Sequence, residues 1–178
     1  MTARREPSFI GIFPKRRMAA PAPLAEAGAV EICSVSQCLA PGPPDWIATW
    51  SHNEYGFFDT EATALASIHD DGDYELFAYE LYPYRIDALG RHPLAVRPAG
   101  SVPDRYDLLG LDVVSRSNSD FFECSPLSCN LAALVMPVNR YCLAADEGTA
   151  MEYARLIAGE GGYEPGPYHV VRVWRRRL

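Results

Sequence analysis

The sequence predicts an α+β fold in one domain, residues 1–178, with a mostly antiparallel or mixed sheet of about six to seven strands. The first observation is the composition, because 178 residues that are 48% hydrophobic and 22% charged suit a single globular core. The second is that short apolar segments outnumber the two helical ones. The third is that strands and helices do not alternate strictly, which disfavours a doubly wound α/β sheet. No internal repeat is recognised along the chain.

The first third of the chain predicts short strands separated by irregular segments. Apolar or alternating runs favour strands over residues 8–13, 30–35 and 45–50. Between the last two lies a run of prolines and one glycine at residues 41–44, which excludes a helix because proline lacks the amide donor. Residues 1–7 precede the first strand and are expected to be mobile.

The middle of the chain predicts one helix and one central strand. Residues 59–69 form the first predicted helix, with Asp59 as the cap of its amino end. Residues 74–81 are apolar on both faces, as in a covered central strand, which Pro83 is expected to end. Residues 87–104 are rich in glycine and proline and predict a long surface loop, where a binding function could lie.

The last third of the chain predicts three strands and a second helix. Alternation favours a strand over residues 106–115, and apolar runs favour strands over 137–143 and 169–174. A stripe of apolar residues predicts a helix over 146–158, which the following glycines end. Residues 124–134 are compatible with either a short helix or a loop.

Charge is segregated along the chain, whose formal net charge is −7. Residues 1–17 and 172–178 hold nine of the sixteen basic residues and one acidic residue. The body, residues 18–171, holds seven basic and twenty-two acidic residues, a net charge of −15. Such a body repels phosphate backbones and attracts basic proteins. The pattern therefore predicts a basic protein partner and no nucleic acid, and leaves the oligomeric state open.

Cysteine usage and hydropathy predict a cytoplasmic protein that does not enter a membrane. Five cysteines are an odd number, unlike a secreted disulfide framework, and indicate free thiols in a reducing compartment. The apolar stretches fall short of the roughly 20 residues that a membrane-spanning helix needs. The apolar run that follows Arg4 and Arg5 is too short for an export signal.

A segment of aromatic and polar residues is the first candidate for a ligand site. It combines two indole rings with four polar side chains directly before the first predicted helix, which would give a pocket with an apolar wall and a polar mouth. Its members are Trp46, Trp50, His52, Asn53, Glu54 and Tyr55. The alternative is structural: the tryptophans fill the core, and His52 and Asn53 hold the turn before the helix.

A second group of residues offers nucleophilic chemistry. The catalytic candidates are Cys124, Cys129, His169, His52 and Asp112. A thiolate with a histidine base would carry out acyl transfer or hydrolysis, but the alternative is inert packing, because free cysteine is often buried. The Cys-x4-Cys spacing is looser than that of most zinc sites and no second short pair completes four ligands, so no metal is predicted.

Two functions from different classes follow from these patterns. No phosphate-binding loop or Gly-x-Ser-x-Gly elbow occurs in the sequence, so no cofactor is predicted. The acidic body and the lack of a catalytic motif favour a non-enzymatic interaction protein, such as an immunity-like or antitoxin-like inhibitor that binds a basic partner. The alternative is a small Cys/His-dependent hydrolase or acyl-transfer enzyme, which requires at least one hyper-reactive thiol.

Overall fold

The computed structural model describes residues 6–49, 51–117 and 121–177, and these contain one antiparallel sheet of five strands. The strands are β1 (Ser8–Arg16), β2 (Tyr74–Asp87), β3 (Gly90–Pro93), β4 (Tyr106–Ser115) and β5 (Tyr168–Arg176). Their order is β1-β2-β5-β4, and β3 pairs with the end of β2. The α+β class and the antiparallel pairing are confirmed, whereas the expected strand count is wrong for the described residues. Part of the segment expected to be mobile, residues 1–5, lies outside them.

Four α-helices connect the strands of the described chain. They are α1 (Ala22–Glu26), α2 (Glu61–Ala66), α3 (Pro126–Cys129) and α4 (Glu147–Gly159). The first predicted helix, 59–69, is shorter as α2, because Thr60 and not Asp59 caps it by accepting the amide of Thr63. The second predicted helix is α4. Among the described helices none is long and apolar enough to cross a membrane.

Three predicted strands do not form in the part of the chain that the structure describes, which leaves out Trp50. Residues 30–35 are an irregular segment with a single bridge from Glu31 to Ala19. Trp46–Thr49 is a turn of 3-10 helix, and residues 137–143 form a tight turn. Several apolar side chains of these segments are buried without joining the sheet, among them Ile32, Val35, Trp46 and Leu143, whereas Val30 and Ile47 are exposed. Periodicity alone misassigned them because a buried irregular segment and a strand show the same short apolar run.

The central strand β2 is longer than predicted and continues through Pro83. The proline lies where the pairing of β2 with β5 shifts register, between Leu81 and Arg85, so its missing amide interrupts no regular ladder. The predicted surface loop at 87–104 is therefore partly wrong, because β2 reaches Asp87 and β3 folds back on it as a hairpin.

Hydrophobic clusters cover both faces of the sheet. On one face α4 buries Ala150, Tyr153 and Ile157 against the sheet. The other cluster contains Phe13 and Tyr79 together with side chains from the connection that follows β1. On β4 and β5, sequence neighbours such as Val113 and Val114, or Val170 and Val171, belong to different clusters, so at these two strands the clusters lie on opposite faces.

The chain contains an internal repeat that the sequence analysis missed. Each half consists of an outer strand, a connection, an asparagine turn, a helix and a central strand: β1, α2 and β2 first, then β4, α4 and β5. In the central pair Tyr79 lies opposite Val173, and on their other sides these residues face Gly11 and Gly110 of the outer strands. A local twofold axis therefore passes between Tyr79 and Val173.

The asparagine turns carry the same hydrogen bonds in both halves. Each asparagine donates from Nδ2 to a carbonyl of its outer strand and accepts two turn amides at Oδ1. The partners are Ile10, Tyr55 and Phe57 for Asn53, and Leu109, Tyr141 and Leu143 for Asn139. Five of the twelve aligned residues in 53–64 and 139–150 are identical, so the repeat is faint in the sequence.

Candidate functional site

Two buried charged side chains hold a segment that crosses one face of the sheet. We call residues 33–36 the strap. Lys15 on β1 is 1% exposed, and its Nζ donates to the carbonyls of Ser34 and Ser36. Asp112 on β4 is fully buried, and its Oδ2 accepts the amide of Val35 at 2.7 Å. Because β1 and β4 are the two outer strands, the strap connects the two edges of the sheet.

Burial brings both charged groups towards neutrality. Desolvation lowers the pKa of Lys15 to about 8. Desolvation also raises the pKa of Asp112 to about 6, against the hydrogen bonds from Ser125 and Val35. A buried charge is costly unless it is paired and hydrogen-bonded. The strap supplies those hydrogen bonds, so the segment and the two side chains stabilise one another.

Three thiol groups converge beside the strap, and we call them the thiol cluster. Cys38 follows the strap, Cys124 precedes α3, and Cys129 is the last residue of α3. Their Sγ atoms all lie within 4.8 Å of one another. Cys38 is exposed, Cys129 is half-buried and Cys124 is buried. The cluster is therefore open to solvent on the side of Cys38.

Polar groups surround the sulfur of Cys129. The hydroxyl oxygens of Ser36 and Ser128 lie 3.4 and 3.8 Å from its Sγ. Hydrogen bonding from the Cys124 thiol is the largest of the effects that lower the pKa of Cys129 to about 5, and the Ser125 amide adds to it. The same interaction and burial raise the pKa of Cys124. These surroundings favour the thiolate form at Cys129 over Cys124.

A chain of polar contacts links the strap to the thiol cluster. Ser125 donates from Oγ to Asp112 Oδ2 at 2.6 Å and accepts the amide of Ser36 at 3.2 Å. The carbonyl of Ser125 accepts the amide of Cys129 at 2.8 Å. Pro126 opens α3 at the position where a helix needs no amide donor. The position of Cys129 thus depends on the buried carboxylate of Asp112.

The structure brings together three of the five predicted catalytic candidates, namely Cys124, Cys129 and Asp112. His169 is buried against the ring of Phe122, and desolvation lowers its pKa to about 4. His52 packs against Trp46 and donates from Nδ1 to the carbonyl of Asn53 at 3.2 Å. Within the described ranges neither histidine is hydrogen-bonded to a cysteine, so no Cys/His pair is formed there.

The comparisons with known proteins give no family for this chain. No family model, curated protein or solved structure matches it. The chemistry of the site therefore follows from its own residues. Sequence reasoning missed Lys15, Ser36 and Cys38, which join the site through contacts between distant segments. The sequence carried no signal for Lys15, because it lies beyond the predicted strand 8–13 and directly before Arg16 and Arg17, as in an exposed basic run.

The aromatic segment proposed as a ligand site is occupied by structural contacts. The side chain of Asn53 makes the hydrogen bonds of the turn. Its Nδ2 also donates to Asp59 Oδ1 at 2.8 Å. The Tyr55 hydroxyl accepts the amide of Arg97, and the exposed Glu54 is engaged through its carbonyl. Trp46 is buried, and Trp50 lies outside the described residues. Ligand binding at this segment stays a prediction.

The arginines near the chain ends fold onto carboxylates of the acidic body. The ion pairs are Arg16–Asp70, Arg17–Glu31, Arg172–Glu80, Arg175–Glu31, Arg175–Glu75, Arg176–Glu61 and Arg177–Asp107. Each pair removes part of the negative field that would attract a basic protein. The inhibitor hypothesis stays a prediction, and these contacts weaken the electrostatic argument for it.

Proposed function

We propose that this protein carries out thiol–disulfide exchange, with Cys129 as the nucleophile and Cys38 as the resolving thiol. The observation that carries the proposal is the convergence of three Sγ atoms within 4.8 Å. A neighbouring thiol is what a nucleophilic cysteine needs to complete a disulfide. Hydrolysis is less well supported, because it needs a base beside the nucleophile, and neither candidate histidine contacts a cysteine.

The surroundings of each thiol support these roles. Cys129 is half-buried with hydroxyl groups aimed at its sulfur, and such donors favour a thiolate. Cys38 is exposed and lies on a separate segment, so it can move towards Cys129. Cys124 is buried, and its Sγ lies 3.2 Å from Asn130 Oδ1 and beside Cys129. We therefore assign Cys124 to positioning Cys129 rather than to exchange.

The proposed reaction has two steps. The Cys129 thiolate attacks a substrate disulfide, forms a mixed disulfide and releases one substrate thiolate. Cys38 then loses its proton to solvent, attacks the Cys129 sulfur and releases the second substrate thiolate. The two sulfurs must approach from within 4.8 Å to the bonding distance of about 2.05 Å. The protein gives up two electrons, and the substrate disulfide accepts them.

Oxidised glutathione tests this reaction on the full, reduced chain. After an acid quench and alkylation of the remaining thiols, peptide mass spectrometry locates each disulfide. We expect a Cys38–Cys129 disulfide in the unaltered protein. We expect Cys38→Ser to accumulate a mixed disulfide between glutathione and Cys129, because the second step is lost. Cys129→Ser is expected to form neither product.

The matched control is Cys142→Ala, because Cys142 is buried outside both the cluster and the strap and burial raises its pKa to about 12. This variant should exchange as the unaltered protein does. Glutathione attached first to Cys38, or a reaction at Cys129 no faster than at Cys142, would refute the proposed roles.

A further inference from the structure

The thiol cluster also has the geometry of a metal site. Around a tetrahedral Zn²⁺ with Zn–S bonds of about 2.3 Å, the sulfur ligands are about 3.8 Å apart. The three Sγ atoms of the cluster lie within 4.8 Å of one another, so each needs a movement of about 1 Å or less. We propose that Cys38, Cys124 and Cys129 bind one Zn²⁺ ion through three sulfur ligands.

The type and charge of the ligands select this ion. Thiolates are soft ligands that prefer Zn²⁺ or Cu⁺ to Mg²⁺ and Ca²⁺. The carboxylate of Asp112 is engaged by Val35 and Ser125 and is not part of the cluster. Three thiolates carry three negative charges, and a divalent ion neutralises more of that charge than a monovalent one. Zn²⁺ therefore fits the half-buried cluster better than Cu⁺.

Neighbouring groups supply a fourth ligand and an outer shell. Asn130 Oδ1 lies 3.2 Å from the Cys124 sulfur, so either this oxygen or a water molecule can occupy the fourth position. The hydroxyls of Ser36 and Ser128 lie beside the Cys129 sulfur, where outer-shell donors orient a thiolate ligand. The exposure of Cys38 gives the ion a route of entry.

Metal binding goes beyond the proposed exchange reaction and does not rest on it. Both nevertheless use Cys38 and Cys129. A Cys38–Cys129 disulfide would remove two of the three sulfur ligands, and a bound Zn²⁺ would block the nucleophile. Zinc occupancy and oxidation therefore exclude each other, which makes the metal a means of holding the protein in its unreactive form.

Titration with Zn²⁺ against a chromophoric chelator tests the site on the full, reduced chain. We expect one ion per chain, and an affinity at least about 100-fold lower in Cys38→Ser, Cys124→Ser and Cys129→Ser. Cys142→Ser, which lies outside both the cluster and the strap, should bind within about threefold of the unaltered protein. Co²⁺ should give a sulfur-to-metal charge-transfer band that Cys38→Ser weakens.

Several outcomes separate this inference from the proposed function. Cys38 is exposed, so Cys38→Ser should fold normally, and the melting temperature of the metal-free variant checks this. Unchanged zinc affinity in Cys38→Ser, or an equal loss in Cys142→Ser, overturns the metal site. Disulfide exchange measured with excess chelator tests the other proposal alone. Exchange without zinc binding refutes only the metal site, and zinc binding without exchange refutes only the redox function.

Discussion

The two halves of the molecule share their two strands, asparagine turn and helix, which we call the frame, and they differ in the connections that follow the outer strands. In both halves an outer-strand glycine lies against an asparagine turn, and a capped helix leads into a central strand. The connection of the first half contains the strap and Cys38. That of the second half contains α3 with Cys124 and Cys129. The difference teaches that the repeated contacts fix the frame, whereas the thiol cluster arises where the two unlike connections meet.

The outer strands show the same contrast at single positions. With Gly11 aligned to Gly110, the buried Lys15 corresponds to Val114, and the buried Asp112 corresponds to Phe13. Each half therefore contributes one charge, of opposite sign and at a different position. A cation binds carbonyls and an anion binds amides, so this asymmetry lets a single peptide segment lie across a pseudo-symmetric sheet in one orientation.

The largest effect is expected at the two glycines of the frame. In Gly11→Ala or Gly110→Ala, the added Cβ would lie within 2.9 Å of atoms of the facing turn, and both residues have positive φ, 137° and 151°. Clash and backbone strain together should lower the free energy of unfolding by about 4 kcal/mol in each variant. Urea denaturation measures this, with Gly159→Ala, which faces open space, as the nearly neutral control. If only one of these two substitutions lowered the free energy of unfolding, the two halves would not be equivalent at this position.

The asparagines of the turns should show slightly smaller and similar effects. Asn53→Ala and Asn139→Ala each leave two amides and one carbonyl without a partner. Because an unpaired buried group costs about 1–3 kcal/mol, we expect a loss of about 3 kcal/mol in each variant. Asp59→Ala removes only the bond that Asn53 makes in addition, and its thermal melting curve should change little. A loss confined to one asparagine would show that the matching contacts are not matched in energy.

Asp112, the buried acid that together with Lys15 holds the strap, should make the free energy of unfolding depend on pH. The pKa of Asp112 is about 6 in the folded chain, above about 3.9 for an unfolded aspartate. The folded state therefore binds more protons between pH 4 and 6, and the contribution of Asp112 falls as pH rises through that window, by about 3 kcal/mol. Asp112→Asn lacks this dependence. In urea denaturation from pH 4 to 7, the free energy of unfolding of the unaltered protein should fall relative to that of Asp112→Asn. Two profiles that stay parallel over this range would contradict the prediction. The exposed Asp107→Asn is the control.

The smallest effect is expected where the turns differ by one side chain. Gly56 and Cys142 occupy equivalent positions, with φ of 79° and 61°. Cys142→Gly relieves a left-handed conformation that costs about 1 kcal/mol and loses a buried side chain worth a similar amount. We expect the unfolding free energy to change by less than about 1 kcal/mol in urea denaturation. A large loss would mean that Cys142 contributes packing that the first turn obtains elsewhere.

Elements that carry their own signals were predictable from the sequence. The helix α4 has an apolar stripe and a capping Asp146, so its pattern does not depend on distant residues. The strap resembles a strand locally, and only Lys15 and Asp112, which are remote in sequence, decide where it lies. For the same reason Cys124 and Cys129 were found by their spacing, whereas Cys38 was not. Its proximity to them exists only once the strap is in place.

The hydrogen bonds that hold the strap have a consequence for local unfolding. The amides of Val35 and Ser36 donate to Asp112 Oδ2 and Ser125 Oγ, which are both buried. Their protons can reach deuterated water only when the layer above the sheet detaches and exposes an ammonium and a carboxylate together. These two amides, although outside any strand, should exchange as slowly as those of the central strands.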